Sequence, residues 1–382
     1  NIFILIICAL AALLTHTKVS VSHPHRSSIE EFRNSIIKQP FECYRYVDDT
    51  ALIKYLFATE TQGGDHKTYT LLDFEYEPKI KYYPTFGGGD TVVDRPALIV
   101  RRFDTFNIYE MFHSLLNTYL VVRMFDLDDV VIVFNDTLGK TKLNTEMFSA
   151  FTDRLPIYST ERDSHKFTNG YYEVPPSFTS ILTTKTKHGK LRGRGVDHHC
   201  KSTLLRGFTE FWNKRMLVDT VISHNAPHVV WSSRGIHNRG EKRYVPSRTL
   251  VDEKAFISAL EKETGIVIHV VDFGLLTATE SVRVALGADI IIGVHGAGLT
   301  WASFMRPTDT ALIELFGGDR TSSNRHYHNL ASLSGIGYTD VRRGLGFISR
   351  SLALEWGGDM KIVSDISNAI HKHQIQNTKY KT

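Results

Sequence analysis

The sequence predicts an α/β protein: two doubly wound sheets facing a cleft. Three observations predict it. Residues 286–316 read LGADIIIGVHGAGLTWASFMRPTDTALIELF, in which a wholly apolar run, Ile290 to Val294, leads through His295-Gly296-Ala297-Gly298 into a helix-compatible segment, Leu299 to Met305, and then a second apolar run, Ala311 to Phe316. Unbroken apolar runs of this length suit parallel strands buried on both faces. From Pro227 onward, strand-like and helix-like segments alternate regularly. The same alternation appears earlier, around Pro96 to Phe134, and alternation in both halves argues for two parallel sheets.

Taken in order, the chain starts at Asn1 and is apolar from Ile2 to Leu14 before the polar Thr15-His16-Thr17-Lys18. As a helix this run is about 20 Å long, short of the roughly 30 Å hydrocarbon core of a bilayer. Residues 1–18 therefore read as a signal peptide or the tail of a signal anchor, and both readings put the rest in the secretory pathway. Residues 19–40 are polar and read as a stem, 41–220 and 221–345 as the two domains, and 346–382 as a C-terminal segment with a helix. Of the cysteines, Cys8 lies in the apolar run, while Cys43 and Cys200 suit either one disulfide in an oxidising lumen or two free thiols.

In the N-terminal half, Tyr69 to Tyr76 and Lys79 to Tyr83 are strand-like, and the glycine loop Thr85 to Asp90 is a turn with no helix pattern after it. Pro96 to Arg101 predicts a strand. A long helix follows over Ile108 to Phe125, its apolar residues at helical spacing and Asn107 placed as N-cap. Val130 to Phe134 and Tyr171 to Val174 predict strands, Met147 to Phe151 the end of a short helix, Thr183 to Arg194 a basic loop, and Lys201 to Leu217 a helix. In the C-terminal half the strands are Val229 to Ser232, Ile266 to Val271, Ile290 to Val294, Ala311 to Phe316 and Gly337 to Val341. The helices are Val251 to Thr264, one ending over Ser281 to Leu286, and His326 to Ser334.

Composition narrows the function classes. Apolar content of 42% and charged content of 23% are ordinary for a globular protein. The net charge of +4 comes from scattered Lys and Arg rather than a stripe, so nucleic acid is not indicated, and an anionic nucleotide substrate is compatible. The turn after Ile290 to Val294 has two readings. Glycines let a backbone approach a diphosphate, and the N–H groups opening a helix form an anion site. The same residues also make a plain tight corner. A dehydrogenase is disfavoured, because the turn reads GVHGAG rather than GxGxxG and no lone acidic residue ends the next strand.

GVHGAGLT (Gly293 to Thr300) followed by ALIEL (Ala311 to Leu315), with VVWSSR (Val229 to Arg234) upstream, resembles the C-terminal half of family 61 glycosyltransferases. RRFDTFNIYEMFH (Arg101 to His113) is similar to the segment that opens a long helix in that family. FNDTLGKT (Phe134 to Thr141) and LLRGFTEF (Leu204 to Phe211) resemble stretches of its N-glycan core β-1,2-xylosyltransferases. The resemblance covers roughly Arg101 to Val341. It implies a GT-B type fold of two Rossmann-like domains, with an acceptor side at 41–220 and a nucleotide-sugar side at 221–345. It also implies an inverting transferase in the Golgi or endoplasmic reticulum lumen, and a single-pass type II membrane protein held by its N-terminal segment if that is not cleaved. The donor is a UDP-sugar, with xylose as first choice, and the acceptor a glycan or glycoprotein. The alternatives are a protein O-GlcNAc transferase and a catalytically inactive glycan-binding relative. Many members carry His where this chain has Glu110, and residues 159–199 have no evident counterpart.

Transfer from a UDP-sugar needs a stabilised diphosphate leaving group, a proton acceptor for the attacking hydroxyl, and a sugar held in line. Arg234, just past a strand end, reads as a diphosphate clamp or as a surface arginine. Gly296, Ala297 and Gly298 offer backbone N–H groups. His295 suits a phosphate oxygen, the sugar, or a structural hydrogen bond at the turn. Glu314, alone in an apolar strand, must have a partner if buried; the fold resemblance puts a carboxylate there on ribose hydroxyls. Across the cleft the base candidates are Asp104, Glu110 and His113, with Asp104 first and the other two orienting the acceptor. Asn107 and Asp136 are acceptor or sugar contacts. Asp126-Leu-Asp128-Asp129 and Asp48-Asp49 read as solvated turns rather than metal ligands, so no cofactor and no metal is expected. Asn135-Asp-Thr137 is a glycosylation sequon at the cleft edge, where a glycan would obstruct the site.

Overall fold

Short apolar runs, each bounded by turn residues, assemble into two principal sheets with one helix buried between them. The computed structural model describes residues 57–71, 79–176, 184–185, 191–192, 202–218, 227–235, 237–239, 242–244, 248–317, 324–347 and 354–379. Ile2 to Leu14, Asp48-Asp49, the three cysteines and most of Thr183 to Arg194 lie outside them. Among the described residues no helix is long and apolar enough to cross a membrane.

The N-terminal sheet has seven strands in the order Phe57–Gln62, Lys67–Leu71, Lys79–Tyr83, Tyr171–Glu173, Ala97–Val100, Val131–Phe134, Ile157–Tyr158. The last four run parallel to one another, whereas the first three form an antiparallel meander joined antiparallel to Tyr171–Glu173. This sheet is therefore only half of the doubly wound kind that alternation predicts. The reason is loop length: a parallel crossover needs about a dozen residues or more, and the meander's connections are too short to hold one. A two-stranded parallel ribbon, Thr91–Val93 with His165–Phe167, is a further element that the patterning does not suggest.

The C-terminal sheet runs Ile268–Val271, Val229–Ser232, Ile290–Val294, Ala311–Gly317, Gly337–Phe347, Leu354–Glu355. Its first five strands are parallel, and the short sixth is antiparallel. One face buries Val229, Trp231, Ile290, Ile292, Ile313 and Leu315 with residues of the helices Glu253–Thr264 and Met360–Lys379. The other face turns Val230, Ile291 and Leu312 toward a core shared with the N-terminal half.

That shared core is built on the helix Ile108–Phe125. Its N-cap is Asn107, whose side chain accepts from the Tyr109 N–H at 3.1 Å, and it ends on Asp126 in the left-handed region, φ 55°. The helix is buried on nearly every side, as a helix apolar all round must be. Phe112 meets Phe208 of the helix Thr203–Arg215 at 5.3 Å and Phe304 of the C-terminal half at 5.9 Å between ring centroids. Asn117 donates to the carbonyls of Pro175 and Pro176, fixing the helix to the Pro-Pro segment after the sheet's central strand.

The segment after the glycine turn differs from its prediction. Ala297–Phe304 is a 3-10 helix rather than an α-helix. Leu299, Trp301 and Phe304 are all buried, and Gly298 and Thr300 are weak helix formers, so packing sets its geometry. An anion at this turn would meet the N–H groups opening a 3-10 segment rather than the N-terminus of an α-helix.

Candidate active site

In the C-terminal sheet the neighbours Val229–Ser232 and Ile290–Val294 send their following connections to opposite sides, one to Ile268–Val271 and the other to Ala311–Gly317. That is a topological switch point, and the crevice outside it is where open parallel sheets bind ligands. Ser233, Arg234 and Gly235 leave one strand there; His295 and Gly296 leave the other. Arg234 Nη1 donates to the His295 carbonyl at 3.3 Å, so its guanidinium crosses the switch point. It does so over Gly296, where an added Cβ would stand 1.4 Å from Arg234 Nη1. Gly296 has extended backbone, φ 166°, so glycine is needed there for space and not for conformation. Gly298 is tight more mildly: its Cβ would meet Ser232 Oγ at 3.1 Å.

The Arg234 loop is braced from beneath. Ser233 N donates to the Val271 carbonyl at 2.8 Å, and Gly235 N to Asp272 Oδ2 at 2.9 Å. Glu253 accepts from Trp231 Nε1 and Ser233 Oγ, both at 2.7 Å. These bonds leave Arg234 partly buried and aimed across the crevice.

Glu314 lies 1% exposed and His295 6% exposed. His295 Nδ1 is hydrogen-bonded to Glu314 Oε1, and the Tyr338 hydroxyl donates to Glu314 Oε2 at 2.5 Å. Burial first, then the Glu314 charge, pushes the Tyr338 phenol far up, so it stays a donor. Glu314 is thus turned into the protein and held by two protein donors, where the fold resemblance has it facing ribose hydroxyls. Tyr338 is a site residue that sequence reasoning missed. The signal was present: a lone acid in an apolar strand needs a partner, and the adjacent parallel strand, pairing Leu312 with Tyr338 and Glu314 with Asp340, supplies one.

The N-terminal half meets this site through rings. Tyr109, in the first turn of Ile108–Phe125, stacks on His326 at 4.6 Å and 19°, and its ring contacts His113 and Tyr327 at 4.8 and 5.6 Å. His326 and Tyr327 in turn lie 6.4 and 5.2 Å from His295. The Tyr109 phenol is raised well above its usual range by burial, then by Tyr327, Glu110 and Glu314, so carboxylates of both halves act on one hydroxyl. The start of the long helix therefore stands beside the His295–Glu314 pair. None of this aromatic bridge was legible, because Tyr109 and His326 are far apart in sequence.

The predicted base candidates separate by environment. Asp104 Oδ1 accepts from the N–H groups of Phe106 and Asn107 at 2.7 and 3.0 Å, and shapes the turn into the helix. Glu110 is half-buried, and its carboxyl is raised above the ordinary value, first by burial and then by the charge of Asp104. His113 is buried against Tyr109. Asn107 caps the helix through its side-chain oxygen.

Asp136 stands apart from this group. Its carboxylate takes Arg102 N, Nε and Nη2 at 3.0, 2.9 and 2.6 Å, in an ion pair whose side chains are 0% and 7% exposed. These bonds hold the Arg102 turn. Asn135 is exposed beside it and accepts from Arg162 Nη1 at 2.9 Å. Asp126 and Asp128 line a cavity of about 280 Å³ at the far edge of the sheet together with Arg123, Lys214 and Arg215. Asp129 pairs with Arg95. Three cations beside two carboxylates make a poor cradle for a divalent ion.

Five parallel strands with a crevice at their switch point put the C-terminal half among the Rossmann-like sheets, within a mixed α/β chain. The chain belongs to glycosyltransferase family 61, whose profile matches residues 96–313. Similar proteins are the EGF domain-specific O-linked N-acetylglucosamine transferases. The mouse protein is 26% identical over 263 residues, 66% of this chain and 46% of the relative. The rat protein is 28% identical over 258 residues, 65% and 45%. That of Drosophila melanogaster is 24% identical over 257 residues, 65% and 46%. The chain thus spans less than half the length of these relatives.

Proposed function

We propose that this chain transfers a sugar, with inversion, from a UDP-sugar to a hydroxyl of a glycoprotein in the secretory-pathway lumen. The two sheets then serve as the acceptor-side and donor-side halves of a GT-B arrangement. The observation that carries the reading is Arg234 lying across the switch point over Gly296, beside a helix start that bears a carboxyl raised by burial. The relatives' names favour N-acetylglucosamine over xylose as the transferred sugar.

In this mechanism Arg234 and the N–H groups after Gly296 hold the diphosphate and offset the charge that grows on it. Glu110 takes the proton from the acceptor hydroxyl. The freed oxygen attacks the anomeric carbon from the face opposite the diphosphate, the carbon–oxygen bond to UDP breaks, and configuration inverts. Glu110 is preferred to Asp104 because a base works best with its pKa brought toward working pH. Asp104 instead shapes the turn into the helix and, by its charge, raises Glu110. On this reading Arg234 and the backbone N–H groups, rather than a metal ion, offset the diphosphate charge.

The test is donor hydrolysis and transfer with UDP-N-acetylglucosamine and UDP-xylose, with the product's anomeric configuration read by NMR. Turnover of the first with inversion is expected. Turnover of UDP-xylose alone would replace the donor, and a folded protein that binds neither UDP-sugar would sink the enzyme reading.

A further inference from the structure

The hydrogen bonds around His295 fix more than its place. At one end of the ring Nδ1 bonds Glu314 Oε1. At the other end Nε2 stands 3.3 Å from Asn324 Nδ2. The Asn324 amide is oriented by its own oxygen, which accepts the His326 N–H at 2.9 Å, so the group facing Nε2 is the amide's donor end. A donor there requires a lone pair on Nε2, and the ring proton then belongs on Nδ1, where the Glu314 carboxylate accepts it. The ring plane is held by Phe316, stacked at 5.3 Å and 21°, and by the edge of Tyr327 at 5.2 Å. The His295 N–H bonds the Leu315 carbonyl at 2.8 Å.

A carboxylate 1% exposed keeps its charge only if its oxygens are supplied with donors. Oε1 has the imidazole; Oε2 has the Tyr338 hydroxyl. Without Tyr338 one oxygen is left bare in the core. The carboxyl then gains by rotating toward another donor, which releases the imidazole from its fixed tautomer.

We propose that Tyr338 is a positioning residue, which acts through Glu314 to hold His295 with Nε2 as a hydrogen-bond acceptor, and that a hydroxyl of the nucleotide-sugar, rather than a phosphate oxygen, takes the place of Asn324 Nδ2 on that lone pair. A phosphate oxygen has no proton to give to a lone pair, whereas a ribose or pyranose hydroxyl does. The diphosphate is left to Arg234 and the backbone N–H groups. The role assigned to His295 rests on the crevice being the donor site; the relay itself does not.

Two readouts test it. The first is imidazole ¹⁵N NMR of the uniformly labelled chain, with the His295 signals assigned by their loss in His295→Gln. Wild type should show Nδ1 protonated and Nε2 bare; Tyr338→Phe and Glu314→Gln should shift His295 toward a mixture of tautomers. Unchanged His295 signals in both folded variants would overturn the relay, whatever the protein's activity. The second is calorimetry with UDP-N-acetylglucosamine and, separately, inorganic pyrophosphate. Tyr338→Phe should weaken the sugar nucleotide about 3- to 10-fold and leave pyrophosphate unchanged. Equal losses on both ligands would assign His295 to the phosphates and overturn the hydroxyl assignment. If wild type binds neither ligand, the donor-site reading fails and with it the hydroxyl assignment, while the NMR result still decides the relay.

Discussion

Replacing Gly296 by alanine should disable the crevice without disturbing the fold. The new Cβ would stand 1.4 Å from Arg234 Nη1, 2.6 Å from Cζ and 3.2 Å from Nη2. To restore ordinary contact the guanidinium must retreat by about 2 Å, which takes it out of hydrogen-bond reach of the position it now holds. The backbone does not resist the substitution, because its extended φ suits any residue. What moves is the far end of a flexible side chain, so the stability loss should stay within about 1 kcal/mol. The catalytic loss should be larger. Charge-assisted hydrogen bonds contribute about 1.5–3 kcal/mol each. A two-pronged clamp on a diphosphate, discounted for a partly exposed arginine, gives about 2–4 kcal/mol, or roughly 30- to 1,000-fold in kcat/KM. The assay is steady-state donor turnover beside thermal melts of Gly296→Ala, Arg234→Ala and the double variant. Since both substitutions remove one interaction, the double variant should be no worse than Arg234→Ala alone. Full activity in a folded Gly296→Ala protein would refute the assignment of Arg234. Additive losses would show that Gly296 acts by some other route. Gly298→Ala, with only a 3.1 Å contact to Ser232 Oγ, is the internal control and should lose less.

The other predictions concern charge. Glu110→Gln should cut turnover by about a hundredfold or more while UDP binding persists; if Asp104→Asn is the dead variant instead, the base is Asp104. Because the charge of Asp104 helps raise Glu110, Asp104→Asn should move the acid limb of the kcat/KM profile to lower pH, and a limb that stays put removes that coupling. A raised carboxyl binds its proton more tightly in the folded state, so its contribution to stability falls as pH rises from the unfolded value of 4.5 through the folded one. Denaturant titrations of Glu110→Gln should therefore show less of that decline than wild type. Arg102→Ala, by stranding the buried Asp136, should cost about 3–5 kcal/mol, and a midpoint shift worth under about 1 kcal/mol would mean the pair is relaxed or hydrated. Transfer should survive EDTA; loss restored by Mn²⁺ would reopen Asp126 and Asp128 as ligands.

What the sequence disclosed depended on how local each signal was. Val229–Ser232 and His326–Ser334 were readable to the residue, because a wholly buried strand or a capped helix writes its limits into neighbouring residues. The Asn107 cap was readable for the same reason. The order of strands was not, since Tyr171–Glu173 inserts between Lys79–Tyr83 and Ala97–Val100 from far along the chain. The site divides similarly. Arg234, His295 and Gly296 could be named from one strand end and one turn, and the solitary Glu314 announced that it needed a partner. The identity of that partner, the stacking of Tyr109 on His326, and the commitment of Asp136 to Arg102 are facts of tertiary pairing, and nothing within a few residues of any of them states it.

The helix Met360–Lys379 has a consequence for how the molecule is made. It packs on Glu253–Thr264 and on the strands Ala311–Gly317 and Gly337–Phe347, burying Ile362, Val363, Ile366 and Ile370. Every partner it covers is synthesised before it. From Gly317 to Lys379 the ribosome adds roughly 60 residues, about 3–12 s of elongation at about 5–20 residues per second. For that interval the strands Val229–Ser232, Ile290–Val294 and Ala311–Gly317 exist with one apolar face lacking its final lid. The nascent chain is therefore exposed to wrong partners at a predictable moment. A chaperone that binds extended apolar segments would find its grip there, and would be displaced by the helix Met360–Lys379.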